Sequence, residues 1–208
     1  MSLGLAPGLR GIPGMVRAPS IFIAGLGRCG TAMVMTMLDR GGFPVVGPAP
    51  GYEPSAMMPG SISRDFIEAA RGIAVKWIDP NVARVPADVP ALSIWLARDP
   101  IEQARSQLKL LGMEAPRARV RGLASLIRID AIRARRRVAS HGPVLDMRFE
   151  TILADPVGEA ERMREFLSAS GASFDAAAAA RAVLQRSPKC AADLTVEAHL
   201  LQEASLHG

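Results

Sequence analysis

The sequence predicts an α/β protein with a central, mostly parallel sheet flanked by helices and a helical C-terminal third. Three observations point there. Short β-branched and aromatic runs alternate with helical stretches over the first 150 residues. A glycine cluster directly follows the first run. After the last strand-like run only helical periodicity remains, at about 156–169, 174–185 and 191–205.

The elements follow in order. Ser20 to Ala24 (S-I-F-I-A) reads as a buried strand, and Thr31 to Leu38 as a helix bounded by Gly30 and Gly41-Gly42. Phe43 to Gly60 holds five prolines and reads as a long connection without regular structure, the kind of loop that tends to carry function. Ser63 to Arg71 is a short helix capped by Ser61 or Ser63. Two further strands are Ile73 to Trp77 and Leu92 to Ala97. After Asp99, Pro100 opens a helix at a position where its missing N–H costs nothing. A second helix covers Arg117 to Ala139, and Val144 to Met147 is a fourth strand. Residues 1–19, with scattered Gly and Pro, read as a flexible arm, and 20–208 as one domain.

Composition narrows the class. In 208 residues, 49% are hydrophobic and 22% charged, which is globular composition. Two cysteines cannot build a disulfide scaffold, so a cytoplasmic setting is expected. No apolar run reaches the roughly 18 residues that a membrane span needs. The net charge of +5 suits an anionic ligand, with nucleic acid the less favoured partner.

The most informative stretch is Gly25-Leu26-Gly27-Arg28-Cys29-Gly30-Thr31, between strand and helix. Glycines there let the chain turn tightly and present N–H groups to an anion at the positive helix end. A plain βα turn without a ligand is the bland alternative. Gly25, Gly27 and Gly30 also match the dinucleotide fingerprint, but no second strand ending in an acid follows at the required distance, since Glu53 lies in a loop. Gly25 and Gly30 match the spacing of the nucleoside triphosphate loop, but its lysine is missing because Thr31 follows Gly30.

The stretch I-F-I-A-G-L-G-R-C-G-T-A resembles the 5′-phosphosulfate loop of the sulfotransferases, which use 3′-phosphoadenosine 5′-phosphosulfate (PAPS). Arg28, Gly30 and Thr31 match that loop, while Cys29 and Ala32 stand where the family carries hydroxyl residues. Ile94-Trp95-Leu96-Ala97-Arg98-Asp99-Pro100, with Ser106 eight residues after the arginine, resembles the family's 3′-phosphate motif. In that arrangement Arg98 and Ser106 converge on one phosphate. Leu145 to Pro156 is similar to a third family stretch, in which Arg148 and Glu150 read as structural.

The resemblance implies a P-loop-like fold of sulfotransferase type and sulfuryl transfer from PAPS to a hydroxyl or amine of a small-molecule or carbohydrate acceptor. It implies a nucleotide site of Gly27, Arg28, Cys29, Gly30, Thr31, Ala32, Arg98 and Ser106, with no obligatory metal. Lys76 corresponds to a lysine that family members place at the bridging oxygen, and Glu53 is the candidate base, with Asp79 in reserve. Two alternatives remain: a small-molecule kinase using ATP and magnesium, and a non-catalytic anion- or nucleotide-binding module. His141, His199 and His207 are expected to be solvated, as is the basic run Arg133, Arg135, Arg136 and Arg137. Arg186 to Lys189 is a candidate late loop over the nucleotide.

Overall fold

A computed structural model describes residues 18–53 and 62–183. Four strands, β1 (Ser20–Gly25), β2 (Ala74–Ile78), β3 (Ala91–Ala97) and β4 (Val144–Arg148), form one sheet in the order β2-β1-β3-β4. Every pairing is parallel, with Ile23 opposite Lys76 on one side and Ile94 on the other. The expected α/β class and parallel sheet are therefore observed.

Alternation along β1 builds both layers. Ile21 and Ile23 enter one core with helices α1 (Thr31–Arg40), α6 (Pro156–Leu167) and α7 (Ala176–Arg181). Phe22 and Ala24 enter the opposite core with α2 (Arg64–Ala69), α3 (Pro100–Leu110) and α4 (Arg117–Ala139). All four β1 side chains are fully buried, as expected of a parallel strand covered on both faces. Because α1 and α3 leave on opposite faces, the crevice beyond the carboxyl ends of β1 and β3 is a topological switch point, the place where such sheets receive ligands.

The ends of the elements have local causes. Ser63, rather than Ser61, caps α2 by accepting the Phe66 N–H. Asp99 caps α3 through Ile101 and Glu102, with Pro100 in the first turn. Asp175 caps α7 through Ala178, so that helix starts at Ala176 rather than 174. A short helix, α5 (Phe149–Ala154), occupies what the sequence left between β4 and the next helix.

Two expectations are corrected. His141 is buried rather than solvated: its Nδ1 lies 2.9 Å from the Val89 carbonyl oxygen, and its ring meets Trp77 edge-on at 5.5 Å. The basic run is only partly a solvated face. Arg135 forks onto Asp146 at 2.6 and 2.7 Å, and Arg137 donates to the Pro80 carbonyl at 3.1 Å. Arg133 and Arg136 are exposed as expected. Among the described residues no helix is long and apolar enough to cross a membrane. The arm up to residue 17, the Arg186–Lys189 loop, the 191–205 helix, Cys190, His199 and His207 lie outside the described residues.

Candidate functional site

The loop between β1 and α1 is held by three side chains from two elements. Gly27 donates its N–H to Asp79 Oδ1 at 2.9 Å, and the Asp79 N–H returns to the Gly25 carbonyl at 2.9 Å. The Gly27 carbonyl accepts from two amides one helical turn apart, Gln103 Nε2 at 2.8 Å and Gln107 Nε2 at 3.0 Å. These contacts tie the loop to the end of β2 and to α3.

Arg28 and Gly30 both have left-handed backbones, with φ of 66° and 105°. Gly30 is required for a second reason: a Cβ there would run into the ring of Phe149. Arg28 is costly in this conformation and is braced twice. Its Nε donates to Ser106 Oγ at 3.1 Å, and its carbonyl accepts from Arg98 Nη1 at 3.2 Å. Arg98 in turn lies over the Phe149 ring, 4.6 Å from the centroid, a cation–π contact that fixes the guanidinium plane. Arg28, Arg98 and Ser106 thus form one linked cluster, with Arg28 bonded to both of the others.

Cys29 turns inward. Its thiol is 1% exposed, and burial pushes its pKa up to about 12, with the Asp79 carboxylate adding to the rise and the Thr31 N–H opposing it. It is a neutral packing group. Thr31 is buried at the start of α1, and Ala32 follows half-buried. No described hydrogen bond uses the N–H of Gly30 or Ala32, and both belong to a helix start that carries positive partial charge.

Lys76 lies on the α1 face of the sheet. Its Nζ donates to the Gly51 carbonyl at 2.8 Å and to Glu53 Oε1 at 3.1 Å. The two partners differ in exposure: the lysine side chain is 8% exposed and the glutamate 75%. Tyr52 anchors this segment, buried, with φ of 53° and its hydroxyl donating to Asp39 at 2.9 Å.

A cavity of about 390 Å³ opens beside Arg98, between the loop, the end of β3 and α4. Leu26, Trp95 and Ile127 give it apolar walls, and Arg98, Arg128 and Arg148 give it cations.

Among solved structures the chain is similar to a sulfotransferase from Alicyclobacillus acidocaldarius, at 17% identity and a TM-score of 0.48, over 84% of this chain and 88% of that one. It is also similar to a mouse sulfotransferase complexed with PAP, at 14% identity and a TM-score of 0.49, over 74% of this chain. The chain spans 60% of the mouse protein's length. No family model matches the sequence, and no curated protein matches it. The functional reading therefore rests on the residues of this chain.

Several groups at the site carried no signal recognised in the sequence. Gln103 and Gln107 are spaced i,i+4 on the helix that also bears Ser106, a spacing that places both on one face. Glu150, by contrast, was read as structural from the sequence, and it accepts the Asp99 N–H at 2.7 Å, which ties the β4 end to the Arg98-Asp99-Pro100 turn. Phe149 and Arg128 come from distant segments, and only the fold brings them to Arg98.

Proposed function

We propose that the chain is a sulfotransferase that takes the sulfuryl group of PAPS to a hydroxyl or amine acceptor. The observation that carries this reading is the linked cluster of Arg28, Arg98 and Ser106 beside a left-handed glycine turn at the switch point of the sheet. A phosphate needs such donors together: two guanidinium groups, a hydroxyl and helix-start N–H groups.

The chain's residues fit the bisphosphate part of PAPS. The N–H groups of Gly30 and Ala32 suit the 5′ end, and Arg98 with Ser106, each bonded to Arg28, suits the 3′-phosphate. When bound, PAPS supplies an activated sulfuryl group whose leaving group is the adenosine 3′,5′-bisphosphate, PAP. Lys76 offsets charge on the oxygen that departs from sulfur, and Glu53 takes the acceptor's proton. Lys76 holds Glu53 at 3.1 Å, which keeps the carboxylate beside the cation. The loop N–H groups and Arg28 suit the sulfate oxygens.

The test is a thermal-shift titration with PAP, beside ATP with magnesium and NAD. A ligand at one hundred times its Kd adds about 2.7 kcal/mol of stability. Selective stabilisation by PAP, lost in Arg98→Ala, is expected. A response to ATP with magnesium alone would instead favour a kinase, and no response to any nucleotide would sink the sulfotransferase reading.

A further inference from the structure

Helix α4 carries apolar residues on two faces. Val120, Ala124, Ile127, Ala134 and Val138 are buried against the sheet. Leu126, Ile129 and Ile132 are not part of that face and remain 59%, 49% and 56% exposed. Spaced three apart, they form one stripe on the solvent side. The turn leading into the helix exposes Leu111 and Met113 as well. Single exposed aliphatics are ordinary on a protein surface, whereas an ordered stripe marks an interaction site.

The charge around the stripe is predominantly positive. The helix has eight arginines and a single acid, Asp130. Arg117, Arg119, Arg121, Arg128, Arg133 and Arg136 are exposed. Arg135 and Arg137 are engaged by Asp146 and by backbone carbonyls and stiffen the helix end.

We propose that this face of α4 docks on an anionic lipid bilayer. Leu126, Ile129 and Ile132 enter the boundary between headgroups and acyl chains, and the arginines meet lipid phosphates and carboxylates. Arginine stems lie along apolar surface while their heads reach outward, so the two residue types serve one contact. Nucleic acid would account for the arginines and leave three large aliphatics in water. A two-fold contact with a second copy would set α4 against α4 and oppose its arginines to one another. The helix also lines the cavity beside Arg98, through Arg128 and Ile132. Docking therefore brings the cavity rim to the headgroup layer. The inference does not depend on the chemistry of the site.

The experiment is co-sedimentation of the full chain with vesicles of phosphatidylcholine containing about one third phosphatidylserine, beside pure phosphatidylcholine vesicles. Binding to the anionic vesicles alone is expected, falling as salt rises. Leu126→Ser with Ile129→Ser should weaken it by on the order of a hundredfold. Arg121→Gln with Arg133→Gln should weaken it roughly twentyfold. Unchanged circular dichroism and melting of both variants would show that the fold is intact. No sedimentation with anionic vesicles would overturn the proposal. Equal sedimentation of the Leu126→Ser, Ile129→Ser variant would overturn it too, leaving a charge-only surface. Single-stranded DNA binding untouched by that variant, without vesicle binding, would assign the face to nucleic acid. A dimer dispersed by the same substitutions, again without vesicle binding, would assign it to a second copy.

Discussion

Arg28 and Ser106 lie 78 positions apart in the sequence, and their side chains meet at 3.1 Å across the mouth of the glycine loop. The bond holds a non-glycine residue in a left-handed backbone, so it orders the loop before any ligand arrives. Ser106→Ala should weaken PAP binding about tenfold, the loss of one hydrogen bond to a charged group, and cost on the order of 1 kcal/mol of stability because Arg28 loses its brace. Arg28→Ala removes the cation as well and should weaken binding on the order of a hundredfold. Calorimetric titration of both variants with PAP checks the order. A larger loss from Ser106→Ala than from Arg28→Ala would contradict the geometry.

Asp79 accepts the Gly27 N–H at 2.9 Å, so a carboxylate braces a loop suited to an anion. Its own φ of 49° is one that asparagine also tolerates. Asp79→Asn keeps the oxygen acceptor and removes the charge. It should therefore melt close to the parent and bind PAP several-fold more tightly, because a like charge is gone. Asp79→Ala loses the bond, and on the order of 1 kcal/mol of stability with it. Weaker PAP binding by Asp79→Asn would mean that the carboxylate takes part in the site directly.

The buried Cys29 thiol makes stability depend on alkaline pH. Burial raises its folded pKa to about 12, above the ordinary value of 9.0, so folding favours the protonated thiol. That stabilisation is complete below pH 9 and is lost as the pH rises toward 12. The buried Tyr52 phenol, also raised, acts in the same direction. Denaturant midpoints at a series of pH values above 9 should fall less steeply for Cys29→Ala than for the parent. The folded parent should also resist iodoacetamide at neutral pH, with Cys29 reacting only on unfolding. Rapid modification of Cys29 in the folded protein would show that the thiol is accessible.

Much of this was legible in the sequence, for identifiable reasons. The strand at Ser20, its glycine turn and the Asp99-Pro100 helix start are local signals, and each appears where residue chemistry puts it. The sequence pairs Arg98 with Ser106 because a strand end and a helix spacing restrict where each side chain can go, whereas the bond from Arg28 to Ser106 follows only from the fold. His141 was misjudged because a histidine after a helix end looks solvated until the fold sets Trp77 beside it. Gln103, Gln107 and Phe149 act through contacts made over many tens of residues, and no local pattern announces those. Helix α5 was missed because six residues are too few to show a period.

The roles proposed for Lys76 and Glu53 separate binding from chemistry. The lysine side chain is almost covered, with two acceptors on its Nζ, while its glutamate partner is largely exposed and open to an acceptor molecule. Glu53→Gln keeps an oxygen for the lysine and removes the proposed base. It should leave PAP affinity within about twofold and lower kcat by two orders of magnitude or more. Lys76→Met keeps the length of the stem and removes the cation, so kcat should fall while the buried stem still packs. The Gly51 carbonyl then loses its donor, and the melting temperature should drop by a few degrees. Turnover of PAPS with an acceptor mixture, run beside PAP titration, distinguishes the two roles. Full turnover in Glu53→Gln would move the base to another group, and Asp79 would be substituted next.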